Sequence, residues 1–567
     1  MTAPATTAAP KDKGLINDLT AWERGALALF AGIFLYLAVF ATFHRNINWD
    51  EFHFLSQVYQ YDQGRLTYPL QTFHVHFFGW LTWLPLSDPS QVIAGRVVML
   101  LLELCSFYAL FLIARQMFGF RPAILVVVTY ATSGFLIEHG TSFRTDPVVV
   151  FALMSSLAIL VTSRLDLTRL ALAALLAAVG LLVSIKGALY LPAFAGAFIW
   201  RWRCDGFRWA LLKFAATGAL LLVFYGLLWA LHVSSLEVAQ ALETSRNNAS
   251  AALGKTALFS DLFPREYHIR IFFRDSLLFW PALAVGACCA LYDLVFANRA
   301  RGAAVLLFAL PIASLLFYRN AYPYFFPYIM APVALIAGAA FVRAARPLAT
   351  VIVAFVALYV LVNEAPRYLG KDQEAQRVVH AAAIAAFPEP VPYIDRAGMV
   401  PSYPKVGYFM TSWGIESAQA TGRDVIADTI VRSQPQFVIV NAPSLEDALS
   451  PVEGLRPKIR LSDTDAESLR DNFIHHWGAL WVAGKELAVG PQQSTFELVI
   501  AGEYTVECSV PSVRVDGKAV ACGDTVTLEV GEHAISAGEV GTVTLRIGKD
   551  LPRPDSPMPD SPIFHRL

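Results

Sequence analysis

Charge is scarce in this chain. Asp, Glu, Lys and Arg make up 16% of its 567 residues, while 56% are hydrophobic; ordinary soluble domains carry roughly 25% charged residues. The mean hydropathy is +0.49. A basic excess is also missing: the formal net charge of −1 removes the electrostatic footprint of a nucleic-acid partner. No His, Cys, Asp or Glu grouping has a metal-ligand spacing, so neither a metal nor another cofactor is expected. The small, polar start "MTAPATTAAPKDKGLINDLTAWER" is followed by an apolar run without an A-x-A cleavage site. That run therefore reads as a retained helix and not as a signal peptide. Cysteines are few. Cys105, Cys288 and Cys289 lie in apolar runs and Cys204 in a basic loop, while Cys508 and Cys522 flank "SVPSVRVDGKAVA" as a candidate hairpin staple, which needs an oxidising compartment.

Long apolar runs are abundant. A spanning helix takes about 20 mainly apolar residues, and eleven runs qualify or nearly do: 25–43, 92–114, 122–138, 147–163, 170–186, 188–200, 209–231, 276–296, 303–317, 324–342 and 348–362. With the N-terminus inside, every inside segment is basic, from Lys11, Lys13 and Arg24 through Arg115 and Arg121, Arg164 and Arg169, Arg201 to Lys213, Arg299 and Arg301, to Arg343 and Arg346. The positive-inside rule then leaves the tail outside. The expected divisions are a mobile N-terminus (1–24), a membrane domain (25–362), an outer α/β region (363–490), a small β-sandwich (491–550) and a disordered Pro-rich end (551–567). The sandwich rests on short alternating strands such as "VTLEV" and "VTLRI", split by Gly turns.

The acids and imidazoles of the membrane domain gather in its outer loops. "NINWDEFHFL" places Asp50, Glu51 and His53 behind the first run. Adjacent carboxylates there suit a general base beside a substrate-positioning acid; as a plain structural reading, Asn48 or Asp50 caps an interfacial helix. The same loop carries His74 and His76 on one side of a strand-like "TFHVHFFGWL". "SFRTDPVVVF" sets Arg144 beside Asp146, "LLVSIKGALYLP" puts Lys186 at a helix end, and "FYRNAYPYFFPY" holds Arg319. Lys186 either snorkels or binds an anion, and Arg319 doubles as an interface anchor. His232, Glu237 and Glu243 line an acceptor groove or a solvated helix, and Glu103 forms a structural pair with Arg96 inside the second run.

"WDEFHF" resembles the D-E-x-H-F motif in the first outer loop of protein O-mannosyltransferases. More broadly, residues 25–362 are similar to GT-C glycosyltransferases that use polyprenyl-phosphate sugars, including the lipid A aminoarabinose transferases. The resemblance implies a polytopic helical membrane protein with an outer soluble domain. It places the first motif acid, the catalytic base, on Asp50, and gives Glu51 and His53 supporting roles toward donor or acceptor. Where the mannosyltransferases have His-Pro-Pro, this chain reads "HVHFF", which disfavours a protein acceptor.

The expectation is an inverting glycosyltransferase of the cell envelope, multi-pass in the inner membrane, with its site and tail in the periplasm. It moves a sugar from a polyprenyl-phosphate donor to a hydroxyl on a glycan or lipid. Asp50 is the base; Glu51, His53, His74, His76 and Asp146 bind substrate; Lys186, Arg144 and Arg319 hold the donor phosphate. The partners are that donor, the acceptor and membrane lipids. The alternatives are an oligosaccharide ligase or polymerase using a lipid-diphosphate glycan, and a lipid-linked sugar transporter, whose internal repeat the sequence does not show.

Overall fold

The computed structural model describes residues 18–236 and 262–565, apart from 345, 371, 421, 423, 452–456 and 458. Glu237 and Glu243 lie outside the described residues, as do Lys11 and Lys13. The chain divides into two units. One comprises residues 1–45, 64–78 and 93–370; the other comprises 46–63, 79–92 and 371–567.

The first unit is helical because a lipid-facing backbone must satisfy its own N–H and C=O groups. All eleven apolar runs form helices, but eight described segments are long and apolar enough to cross a membrane. They are Ala21–His44, Asp88–Phe118, Thr145–Thr162, Phe207–Ser234, Phe279–Ala297, Arg299–Leu316, Phe325–Ala344 and Pro347–Glu364. The other three stop early: Phe120–Ala131 has 12 residues, Leu167–Val183 has 17 and Leu191–Asp205 has 15. Polar and small residues end the first two, at "TSG" and at Ser184. The chain is a multi-pass membrane protein.

Close helix contacts rest on small residues. A Cβ on Gly286 would meet the Ile336 carbonyl O at 2.3 Å, and one on Gly302 would meet the Leu294 N at 2.4 Å. Ser156 Oγ donates to Ala173 O (2.8 Å), joining Thr145–Thr162 to Leu167–Val183. The expected Arg96–Glu103 pair does not form. The Arg96 guanidinium donates to the carbonyls of Thr42 (3.3 Å) and Arg45 (2.8 Å). Glu103 lies within electrostatic reach of the Tyr130 hydroxyl instead, which itself donates to Pro327 O (2.9 Å). The end of the first helix exposes unsatisfied carbonyls, and these take the arginine that the acid was expected to hold.

The second unit is built on sheets. A seven-stranded sheet runs β1 (Tyr393–Ile394), β2 (Phe437–Ile439), β4 (Leu480–Val489), β11 (Gly541–Ile547), β6 (Gly502–Cys508) and β9 (Thr525–Leu528), with β3 (Phe473–Trp477) also on β4. Only β1 and β2 are parallel; the other pairings in this sheet are antiparallel. A four-stranded sheet runs β5 (Ser494–Leu498), β10 (Gly531–Ala537), β7 (Ser512–Val515) and β8 (Lys518–Ala521). The ten-residue β4 ties the α/β part to the strand-rich part, because its first residues, Leu480 to Val482, pair with β2 and its later ones, Gly484 to Val489, pair with β11. Cys508 and Cys522 are disulfide-bonded.

The Pro-rich end differs from the disorder expected of it. Asn46 Nδ2 donates to Ile563 O (3.1 Å) and Trp477 Nε1 to Ser556 O (3.1 Å), while Phe564 packs edge-on against Trp49 and Phe52. Proline fixes φ and lowers the entropy lost on docking, so an irregular segment is held by side chains that find its carbonyls.

Candidate active site

In the first unit the sequence builds a cation pair on one carboxylate. Arg144 is the N-cap residue of Thr145–Thr162, and Asp146 lies in that helix's first turn. Leu167–Val183 ends at Ser184, and a 3-10 turn, Ile185–Tyr190, presents Lys186. Lys186 Nζ bonds Asp146 Oδ1, and Arg144 Nε reaches Asp146 Oδ2 at 3.3 Å. Arg144 and Asp146 are 6% and 4% exposed, so the trio holds its charges in a poorly screened setting. An acid removed from such a group would leave two cations uncompensated.

Aromatic faces complete it. The Arg144 guanidinium lies 3.8 Å from the Tyr324 ring centre, and Lys186 Nζ lies 5.3 Å from Tyr324 and 5.4 Å from Tyr328. A ring face attracts a cation through its quadrupole. Tyr190 Oη, from the same 3-10 turn as Lys186, donates to Tyr328 O at 2.5 Å and fixes the tyrosine segment. Burial, and then the charge of Asp146, push the nearby Tyr318 hydroxyl above its usual range. The start of Thr145–Thr162 adds the positive end of a helix dipole, a setting that favours phosphate.

The two loop histidines separate. "TFHVHFFGWL" is not strand-like: Val75–Phe78 is helical and continues as a 3-10 turn, Gly79–Trp83. Alternation over four residues reads equally as one helical turn. His74 is buried. His76 Nε2 meets His232 Nδ1 at 2.8 Å, and His232 Nε2 lies 3.1 Å from both Pro69 O and Thr72 Oγ1. A carbonyl only accepts, so His232 Nε2 carries a proton; in neutral rings His76 Nε2–H then donates to His232 Nδ1. Burial lowers the His76 pKa, consistent with that neutral ring. Arg319 is exposed, and its carbonyl O accepts from Arg265 Nε at 2.9 Å.

The second unit holds the acidic pair. Trp49–Asp62 is a helix with a capping box: Asn48 Oδ1 accepts from Asp50 N (2.9 Å), and Glu51 Oε2 accepts from Asn48 N (2.9 Å). Glu51 is fully buried, so one acid of the pair serves the cap. The Asp50 carboxylate takes no part in the box and is half-buried. His53 stacks on Phe409, with ring centres 4.6 Å apart and planes 2° from parallel, and its Nε2 lies 3.2 Å from Gln57 Nε2.

Sequence reasoning passed over Arg396 here. Its guanidinium lies 3.9 Å from the Trp49 ring centre. Burial lowers its pKa, while the charges of Asp50 and Asp395 work against that shift. Asp395 is itself pinned by the Gly398 and Met399 N–H groups (both 2.7 Å) and by Asn441 Nδ2 (3.1 Å). The available signal was an Asp-Arg dipeptide, "YIDRAGM", leaving a strand. Tyr324 was likewise visible only as one aromatic in a belt.

No known family profile and no curated protein matches the chain. Solved structures do. The oligosaccharyltransferase of Archaeoglobus fulgidus in the apo form aligns over 91% of this chain and 94% of its own, at 10% identity and a TM-score of 0.53. The archaeal enzyme AglB, in complex with an inhibitory peptide and a dolichol-phosphate, aligns over 93% and 96%, at 10% identity and 0.53. This chain has the GT-C fold. A third GT-C structure, ArnT from Cupriavidus metallidurans bound to undecaprenyl phosphate, aligns over 76% of this chain and 95% of its own, at 14% identity and 0.51. At such identities the GT-C likeness gives the path of the chain, and the role of each side chain follows from its own chemistry.

Proposed function

We propose that the chain is an inverting glycosyltransferase that takes a sugar from a polyprenyl-phosphate donor and gives it to a hydroxyl of a glycan or lipid. The observation that carries this reading is the clamp of Lys186 and Arg144 on Asp146, at a helix start, in a GT-C fold. Solved neighbours of that fold hold dolichol-phosphate and undecaprenyl phosphate. In this reading the bond from the anomeric carbon to the phosphate oxygen breaks as the acceptor oxygen attacks from the opposite face. Lys186 and Arg144 stabilise the charge that grows on the departing phosphate, with Arg319 as a further cation on the donor's path. Asp50 takes the acceptor proton. Glu51 supports Asp50 by fixing its helix, and His53, His74, His76 and Asp146 shape the substrate sites. In this reading the site and the tail face the periplasm of an inner-membrane protein, which the basic residues clustered on alternate connections between the apolar runs support.

A second reading is transfer of a whole glycan from a lipid diphosphate. It draws on the alignment of more than nine-tenths of the chain with an oligosaccharyltransferase. One assay separates the two: purified protein is given labelled polyprenyl-phosphate hexoses and pentoses in one arm and polyprenyl-diphosphate glycans in the other. Turnover confined to the first arm supports the first reading, and turnover confined to the second replaces it. Within the productive arm, Lys186→Ala is expected to weaken donor binding and also slow single-turnover transfer, because phosphate charge grows toward the transition state. Lys186→Arg recovers only part of this, since a forked guanidinium does not reproduce a compact ammonium. Wild-type values in both variants would remove Lys186 from the donor site.

A further inference from the structure

At the other ends of the first unit's helices, away from the Tyr324 segment, a second cation pair converges on one acid. Asp293 is 1% exposed, inside the π-helical turn Asp293–Ala297 that ends a spanning segment. Arg301 Nη2 donates to its Oδ2 (2.9 Å) and Arg343 Nη2 to its Oδ1 (2.6 Å). Two guanidiniums on one carboxylate leave that trio one positive charge in excess. Arg299 and Arg346 lie in the same short connections between spans. The Arg343 side chain is 35% exposed, so this charge is presented at the surface.

A groove leads from it. It has a volume of about 620 Å3 and is lined by Ala284, Val285, Cys288, Cys289, Tyr292 and Arg343. Five of the six lining residues are on the helix that Gly286 lets approach Ile336 closely, and that close approach sets one wall. The lining is apolar along its length and cationic at one end, where Arg343 lies 5.5 Å from the Tyr292 ring centre. That is the polarity of an acyl chain with an anionic head, and basic pockets between spanning helices take anionic lipid headgroups. The volume falls within the range of about 300–1,000 Å3 typical of ligand pockets.

We propose that this groove is a binding site for an anionic phospholipid, with an acyl chain along Ala284, Val285 and Cys288 and the phosphate at Arg343. The site is separate from the transfer chemistry and stands whether or not that reading holds. The full-length protein, delipidated in neutral detergent, is titrated with dioleoyl phosphatidylglycerol or dioleoyl phosphatidylcholine, and bound lipid is counted by native mass spectrometry. Alkylation of Cys288, an exposed thiol inside the groove, is followed peptide by peptide in the same samples. Phosphatidylglycerol is expected to be retained preferentially and to slow Cys288 alkylation, with Cys105 and Cys204 unaffected. Arg343→Gln should weaken phosphatidylglycerol retention about fivefold and leave phosphatidylcholine unchanged. Ala284→Trp, which fills the groove from an exposed position, should abolish Cys288 protection. Equal retention of the two lipids by the wild type, or unchanged Cys288 reactivity, overturns the proposal without reference to either variant. Inorganic phosphate protecting Cys288 as well as the lipid does would replace the lipid site with a simple anion site.

Discussion

At the scale of single residues, two adjacent acids have divided their work. Glu51 closes the capping box on Asn48 and is fully buried, whereas Asp50 is half-buried beside the Arg396 charge. That division makes Asp50→Asn the informative substitution, because it is isosteric and leaves the cap intact. The variant is expected to fold and insert normally while losing about 10²–10⁴ in transfer rate, the usual cost of removing a general base. A single-turnover assay with the productive donor measures it. A rate within a few-fold of wild type would take the base role from Asp50. A helix cap at Asn48 or Asp50 is legible from "NINWDEF" alone, and the structure gives the cap to Asn48, the one followed three residues later by Glu. Which of Asp50 and Glu51 remains for chemistry is not local, because it depends on where the helix buries its first turn.

At the scale of elements, the Trp49–Asp62 helix and the Pro-rich end are each held by a nameable contact. Asn48→Ala removes the side chain that caps the helix, at a cost of about 0.5–2 kcal/mol. Hydrogen exchange across Trp49–Asp62 should then speed up about fivefold for each kcal/mol lost, with β4 unchanged. The Pro-rich end is tied by His476, whose Nε2 donates to Pro552 O at 3.1 Å. Burial lowers the pKa of His476 to about 4, and the Pro552 carbonyl only partly opposes this. An unfolded histidine titrates near about 6.5, so protonation favours the undocked chain below that pH. The contribution of His476 is therefore complete above about pH 6.5 and is lost as the pH falls toward about 4. Limited proteolysis of residues 551–565 should accelerate between pH 7 and pH 4.5, and His476→Gln should flatten that dependence. Equal cleavage at both pH values in the wild type would remove His476 as the tether.

At the scale of the whole molecule, the proposed orientation rests on charge and redox chemistry together. Basic residues fill every proposed inside segment, and the Cys508–Cys522 disulfide belongs in an oxidising compartment. Val540, 85% exposed on the turn between β10 and β11, is the natural reporter. With the other free cysteines replaced, Val540→Cys should react with a membrane-impermeant maleimide added to intact cells. Labelling only after lysis would put the tail in the cytosol.

The sequence by itself determined the membrane class, the eleven apolar helices and the soluble tail, because those follow from the length and hydropathy of contiguous runs. It also marked Arg144, Asp146 and Lys186 as candidate binding residues in the outer loops, with snorkelling left open for Lys186. Only the tertiary structure decided that these three meet on one carboxylate under Tyr324, 40 residues separating Lys186 from Asp146. It likewise decided that His76 meets His232 across 156 residues, and that β4 carries one sheet through the strand-rich region. Such pairings depend on how helices and strands pack, and hydropathy along the chain is nearly indifferent to which distant neighbour a polar side chain will find.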